Sequence, residues 1–455
     1  MKTHRGRCVF CACDTIGRES NKNMKIGVIS LGCAKNLVDT EYLLGILRES
    51  GMETVSEYSE AEAVIINTCG FIESAKMEAI NTILEAAEYK EAGLKKLIVM
   101  GCLSQRYKPE LEKEMPEVDR FIAIDEYGNL GAILSEVLGV RISNTYGKTT
   151  RVLSGKPWMG YLRIADGCDN KCSYCAIPLI RGPFVSRPME EIIAEAERLA
   201  GEGVKELNLI AQDSSRYGID LYGELKLSAL LKELDQIDGI RWIRILYLYP
   251  DEIPDDLIET IRTGTHILPY FDIPIQHGSD RMLTAMHRRG SRELIRERCL
   301  KLRETFPDAI LRTTLITGFP GESEQDHADN LSLVEEIGWD RLGVFTYSKE
   351  EDTPAFELED DVPQEVKEQR MNELMDVQSR LSHARQERFI GKETDVLVEG
   401  IDPLTGMYIG RSYMHAPDNV DGCVRFRSEN AYEPGDFVRV RFTKVSGLNL
   451  IGKEE

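Results

Sequence analysis

The chain predicts an α/β protein in three parts: a doubly wound parallel sheet, a partial parallel α/β barrel of six units, and a small all-β barrel. Three patterns in its 455 residues carry that reading. Apolar runs alternate with amphipathic segments over residues 24–142, the signature of strands and helices in a parallel sheet. Six further strand–helix pairs follow over residues 156–390. Beyond residue 391 the pattern changes to short alternating runs split by Gly, Pro, Asp and Asn, which predicts a barrel of hairpins.

Residues 1–23 carry Cys8, Cys11 and Cys13 ahead of a strand-like start at Met24. A Cys-x2-Cys pair is able to bind metal, but the stretch is expected to be a disordered tail or read-through from a start at Met24, and it is assigned no function. In the first domain the strands are expected at Lys25–Leu31, Ala63–Thr68, Leu97–Met100 and Phe121–Ile124, with helices near Asn36–Ser50, Glu73–Ala92 and Gln105–Met115. Each of the first three strands runs into a cysteine: Cys33, Cys69 and Cys102. Sites in such sheets gather at the carboxyl ends of the strands, so three distant cysteines are expected on one edge. Gly32, Gly70 and Gly101 beside them are expected to let the backbone approach a bulky group. The competing reading is three unrelated buried cysteines, a common fate of this residue type.

Residues 143–155, with Asn144, Gly147 and Ser154, read as a linker. The six strands expected beyond it are Gly160–Ile164, Glu206–Ile210, Trp242–Leu248, Phe271–Ile275, Leu311–Ile316 and Leu342–Tyr347. Barrel chemistry sits where strands end. The first ends just before Cys168, the second at Gln212 and Asp213, the fourth at Gln276 and His277, and the fifth at Gly318-Phe319-Pro320-Gly321-Glu322. His277 reads equally as a ligand contact or as a hydrogen-bonded packing residue. A long helix from Val366 to about Phe389 is expected to pack through Met371, Leu374 and Leu381. In the last domain, residues 391–455, strands are expected at Val396–Val398, Met407–Gly410, Val424–Arg427, Phe437–Phe442 and Leu448–Ile451.

The loop Gly167-Cys168-Asp169-Asn170-Lys171-Cys172-Ser173-Tyr174-Cys175 carries the chemistry. Three thiolates at Cys-x3-Cys-x2-Cys spacing suit zinc or an iron–sulfur cluster. A structural zinc site takes four closed ligands, and no fourth Cys or His stands nearby in the sequence. On a four-iron cluster, three thiolates leave one iron open.

Composition narrows the classes. With 42% hydrophobic and 29% charged residues the chain is that of an ordinary globular protein. No apolar run reaches the roughly 18 residues of a membrane span. Eleven cysteines in a chain this long, several at metal-type spacings, argue for a reducing cytoplasm over a disulfide scaffold. The net charge of −21 disfavours direct nucleic-acid binding, which calls for a basic face.

The Cys168 loop resembles the signature of the radical S-adenosylmethionine (SAM) superfamily. With Leu31-Gly32-Cys33-Ala34-Lys35-Asn36, Asn67-Thr68-Cys69-Gly70, Met100-Gly101-Cys102 and Gly318-Phe319-Pro320-Gly321-Glu322, the chain resembles the methylthiotransferase family from Met24 onward. That resemblance implies a radical SAM barrel and a TRAM barrel behind the N-terminal domain. It implies one 4Fe-4S cluster on Cys33, Cys69 and Cys102, and a second, SAM-cleaving one on Cys168, Cys172 and Cys175. Tyr174, Gln212, Gly318 and Gly321 are the candidate SAM contacts it suggests. No protein base of pKa near 7 removes a hydrogen from the β-carbon of an aspartate at a useful rate, so hydrogen-atom abstraction by the cofactor is expected and no acid–base residue is named.

Within the family, Lys35-Asn36-Leu37-Val38-Asp39, the stretch Arg181–Pro188, Gln212–Gly218, Gly410-Arg411-Ser412 and Ala416-Pro417 resemble the branch acting on an aspartate of ribosomal protein S-12. Pro183 and Asn419-Val420 depart from its pattern. The implied partners are that protein and a flavodoxin-like electron donor, with no membrane. The tRNA-modifying branch usually shows a Gln-Met-Asn-type segment after its first cysteine, which is absent here. From Gly391 onward eight Lys and Arg face eleven Asp and Glu, a net −3, which suits a basic ribosomal protein better than a phosphate backbone. Arg411 and Asp418 are therefore candidates for a docking face. Two other functions stay open: tRNA methylthiolation, and a non-catalytic iron–sulfur electron carrier that would not cleave SAM.

Overall fold

A computed structural model describes residues 24–143, 146–147, 151–417 and 420–455. Cys8, Cys11, Cys13, Asn144, Asp418 and Asn419 lie outside the described residues. The chain forms two compact units. The first runs up to Pro157 and takes in Asp166–Asp169 and Ala176–Phe184; the second holds Trp158–Ala165, Asn170–Cys175 and everything from Val185 on.

In the first unit, β1 (Lys25–Ser30), β2 (Glu53–Val55), β3 (Ala63–Thr68), β4 (Lys96–Gly101) and β5 (Arg120–Ile122) form one parallel sheet in the order β2-β1-β3-β4-β5. Its strands read as continuous apolar runs because both faces are covered. Ile26, Ala63, Ile65, Ile98 and Met100 pack into one core with helix α1 (Ala34–Glu49) and helix α4 (Leu130–Leu138). Their neighbours Val64, Ile66, Leu97 and Val99 pack into another with α2 (Glu73–Glu88) and α3 (Cys102–Glu114). The stretch read as a linker is partly core: Val152 is buried there, and its N–H donates to Glu41 O at 3.0 Å. The strand order reverses direction between β1 and β3, and ligand crevices in such sheets open at that point.

In the second unit, six parallel strands stand side by side in chain order: Met159–Arg163, Glu206–Ile210, Trp242–Ile245, Ile267–Asp272, Ile310–Thr317 and Arg341–Thr346. The sheet stays open at six strands, as the six expected units require. Beyond it, Glu393–Ile401, Tyr408–Arg411, Val424–Arg427, Phe437–Ser446 and Asn449–Glu454 close into a five-stranded barrel around Val396, Phe426, Val440 and Leu450. No helix of the described residues is long and apolar enough to cross a membrane.

Two expectations about packing change. Of the stripe expected on the helix Gln364–Glu387, Leu374 is buried while Met371 and Leu381 are only half-buried; the helix buries Arg370, Leu374, Gln378, Ser382 and Gln386. Spacing of four keeps those side chains on one face, and they dock by hydrogen bonds: Gln378 to Trp339 O at 2.9 Å and Ser382 to Asp340 O at 2.8 Å. Arg411, expected on a docking face, is wholly buried. Its guanidinium binds Glu206 Oε2 at 2.6 Å and Glu399 Oε1 at 2.7 Å, and Glu206 also takes Arg244 Nε at 3.2 Å. Glu206 and Trp242 open their strands, and Trp242 meets Phe437 of the barrel edge-on at 4.8 Å. The barrel thus seals the N-terminal ends of the six strands. The segment after Arg411 is the plug, with Met414, His415 and Ala416 buried.

Candidate iron–sulfur and SAM site

The first unit brings Cys33, Cys69 and Cys102 to one edge of its sheet, each at the carboxyl end of its strand. Cys33 caps α1 and Cys102 opens α3. Asn36 knits the turns together: its Nδ2 donates to Leu31 O at 3.1 Å and Thr68 O at 3.0 Å. The glycines make room between the turns themselves. A Cβ on Gly32 would lie 2.8 Å from Cys69 Cβ, one on Gly70 2.8 Å from Leu103 Cα, and one on Gly101 2.3 Å from Asn67 Oδ1. They let the three cysteine turns approach each other.

The three cysteines are free thiols. Burial pushes the Cys69 thiol up to about 11, and Cys33 adds to the rise. Burial likewise pushes Cys102 up to about 12, with Cys69 and Cys33 adding and Arg181 opposing. Both thiols therefore feel a neighbouring cysteine, and binding a metal would release their protons. Among the described residues no three His, Cys, Asp or Glu side chains close around a single metal ion. Cluster thiolates each take their own iron and need no such convergence. The donor set and its shared edge fit a cluster.

Of the second triad, Cys168 belongs to the first unit, where its N–H donates to Gly182 O at 3.1 Å. A Cβ on the preceding Gly167, at φ 70°, would lie 1.9 Å from Pro183 O. Cys172 and Cys175 belong to the second unit, on a loop held at both ends of its run. Asn170 Nδ2 donates to Asp213 Oδ2 at 2.8 Å, and Ser173 N–H and Oγ donate to Met286 O and Ala285 O, each at 2.9 Å. Cys172 Sγ lies 3.4 Å from Tyr249 Oη and 3.6 Å from Arg288 Nη1. Arg288 also bonds Tyr249 Oη and lies over its ring at 4.0 Å. Burial raises the Asp213 carboxyl, while Ser215 and Asn170 oppose it. None of Asn170, Ser173, Tyr249 or Arg288 carried a sequence signal of its own. The one clue was that Asp213 ends the second strand, facing the loop that follows the first.

Tyr174 packs against Met282, Met286, Phe319 and Tyr347, and burial raises its phenol well above the ordinary range. Gln212 is half-buried at its strand end. Gly318 has no open face: a Cβ there would lie 2.1 Å from Lys367 Cγ, and its N–H is taken by Glu322. Gly321 lies exposed in a turn, its N–H donating to Asp361 Oδ1 at 2.6 Å. His277 is wholly buried and accepts Ser279 N–H at Nδ1 at 3.0 Å, leaving Nε2 to face Glu322 at 3.4 Å. That is the hydrogen-bonding role. Backbone strain gathers nearby: Tyr247 at φ 63° and Gln276 at φ 72° stand just past the third and fourth strands, and His287 at φ 54° adjoins Arg288. Non-glycine residues hold such angles at a cost of order 1–3 kcal/mol, and do so most often at functional sites.

Comparison with known proteins fits this arrangement. Residues 25–123 match the family described as uncharacterized protein family UPF0004, residues 162–334 the radical SAM superfamily, and residues 390–454 the TRAM domain. The ribosomal protein uS12 methylthiotransferase RimO of Acetivibrio thermocellus is 47% identical over 444 residues, covering 94% of this chain and 98% of that protein. The chain belongs to the RimO family of radical SAM methylthiotransferases. The RimO of Aquifex aeolicus is 46% identical, over 95% of this chain and 97% of its own length. Among solved structures, the radical SAM methyltransferase TsrM of Kitasatospora setae aligns with a TM-score of 0.54 over 74% of this chain and 77% of its own, at 13% identity, a likeness of fold. The UPF0004 match spans the cysteine-bearing sheet of this RimO-family chain, and the TRAM match spans its closed barrel.

Proposed function

We propose that the protein adds a methylthio group to the β-carbon of an aspartate of ribosomal protein uS12, in the cytoplasm. The observation that carries the reading is the meeting of Cys33, Cys69 and Cys102 on one sheet edge in a chain that also has the Cys168 loop. Cys33, Cys69 and Cys102 would hold one 4Fe-4S cluster, and Cys168, Cys172 and Cys175 a second. When bound, a cluster with one open iron supplies SAM with one electron and thereby the means of hydrogen-atom abstraction.

The chain's own work is to hold and to dry the site. Asp213 fixes the cysteine loop through Asn170. Arg288 sets a permanent positive charge beside Cys172. Tyr174 would line the SAM side with its ring, backed by Met282 and Met286, and so exclude water. Gln212 would offer SAM an amide, and Gly318 and Gly321 would shape the neighbouring turn. The net charge of −21 complements a basic ribosomal protein. A flavodoxin-like protein is the proposed electron donor.

The test uses anaerobically reconstituted protein with SAM, reductant and sulfide. Cys69→Ala should still yield 5′-deoxyadenosine but no methylthiolated product, and Cys172→Ala should yield neither. Mass spectrometry of uS12 and of unmodified tRNA, each offered as substrate, separates the readings. A methylthio gain on a uS12 aspartate supports this one, and modification of tRNA alone overturns it.

A further inference from the structure

Arg181 follows Cys175 by six residues in the sequence, yet its guanidinium is buried within the first unit, 2% exposed. It ends the short helix Ile177–Arg181. Nη2 lies 2.7 Å from Asp39 Oδ2, and donates to Asn36 Oδ1 at 2.8 Å and to Cys102 Sγ at 3.9 Å. Nη1 reaches Asp166 Oδ2 at 3.3 Å. Asp39 is itself buried and accepts the Tyr146 hydroxyl at 2.7 Å on its other oxygen.

As a thiol, Cys102 donates to Asn36 Oδ1 at 3.4 Å. Once a metal takes the place of that proton, the sulfur has nothing to give to an amide oxygen. Arg181 then presents a charged N–H to it. Hydrogen bonds to the sulfurs and the local net charge set the potential of an iron–sulfur cluster. A buried charge is screened little by salt or water, so a single guanidinium at this distance has a large effect.

We propose that Arg181 and Asp39 tune the reduction potential of the cluster held by Cys33, Cys69 and Cys102. Arg181 favours the reduced state through its charge and its N–H on the Cys102 sulfur. Asp39 orients that guanidinium and cancels part of its charge. The proposal rests on the assignment of a cluster to this triad, and the two fail differently. Both residues are positioning residues.

The experiment uses the full chain with Cys168, Cys172 and Cys175 all changed to Ala, so that only one cluster is reconstituted. Iron is measured first. A chain that takes up no iron refutes the assignment, and this proposal with it. With about four irons bound, the midpoint is read by titration against dithionite, followed by visible absorbance and electron paramagnetic resonance. Arg181→Gln should move it to more negative potential and Asp39→Asn to more positive. Each should change the reduction equilibrium at least tenfold, about 59 mV for one electron. The double variant should return towards the parent. Midpoints that stay put, or that move in the same direction for both variants, overturn the proposal. If Arg181→Gln does not fold, Asp39→Asn decides alone, and absence of a positive shift overturns it.

Discussion

Replacing Arg411 with Met tests whether the C-terminal barrel is a structural seal or a free docking module. Arg411 and Glu206 are wholly buried, and Glu399 is 6% exposed at its side chain. Burial alone would raise the Glu206 carboxyl; Arg411 first and Arg244 next outweigh it and hold it below the usual carboxylate range. Arg411→Met leaves Glu206 with the guanidinium of Arg244 and takes from Glu399 its bond to Arg411 Nε. Removing one partner of a buried pair costs about 3–5 kcal/mol, because the other charge stays out of water. That is roughly two to three and a half powers of ten in the folding equilibrium. The assay is urea unfolding of the apo-protein, with Arg411→Met, Glu206→Gln and the double variant forming a cycle. Removing both charges should cost less than the two single losses added together. Arg411→Met unfolding at the parent's urea midpoint, while uS12 modification falls, would refute the reasoning and return Arg411 to a docking face.

His415 is wholly buried, with Ser412 Oγ 3.0 Å from its Nδ1, and burial followed by the charges of Arg341, Arg411 and Arg244 holds its pKa well below the usual value. Below about pH 6.5 the unfolded chain takes up a proton that the native chain refuses, so stability should fall with falling pH by up to about 1.4 kcal/mol per unit. His415→Gln should flatten that stretch of the curve between about pH 6.5 and 5, and equal slopes for variant and parent count against the assignment. Gly101 stands at φ 103°, and a Cβ there would lie 2.3 Å from Asn67 Oδ1 and 2.5 Å from Thr68 O. Gly101→Ala should displace the turn carrying Cys102 and halve the iron of the reconstituted chain, to about four from about eight, with far-UV circular dichroism unchanged; full iron loading would contradict it.

The sequence made the sheets legible because both faces of their strands are buried, which leaves unbroken apolar runs such as Ala63–Thr68 and Glu206–Ile210. Three-residue Glu53–Val55 is too short to show a period, and it went unseen. So did the helix Leu130–Leu138, apolar enough to blur its own stripe. The helix Gln364–Glu387 misled for the opposite reason. Its buried face is mostly Arg, Gln and Ser, and hydrophobic periodicity is blind to a core made of hydrogen bonds. The cysteines were legible because they repeat at strand ends. The roles of Arg181, Asn170 and Arg288 were not, because a buried polar side chain announces itself only through partners far away in the chain.

The open six-stranded sheet explains why one barrel end must be charged. A closed barrel fills its interior with layers of apolar side chains, but here Glu206, Arg244, Asp272 and Arg312 are carried by the sheet strands. Arg312 binds Asp272 at 2.8 Å and Asp421 at 3.6 Å. Tyr270 donates to Asp421 at 2.5 Å, and Arg244 donates to Tyr413 O at 2.8 Å. Buried polar groups are tolerated only when each finds a partner, and Tyr413, Asp421 and Arg411 are those partners. The Gly410–Ser412 and Ala416–Pro417 signature is therefore the complement of the sheet's own charges. The loop of Cys172 and Cys175 and the strained Gln276 follow the other, carboxyl ends of their strands.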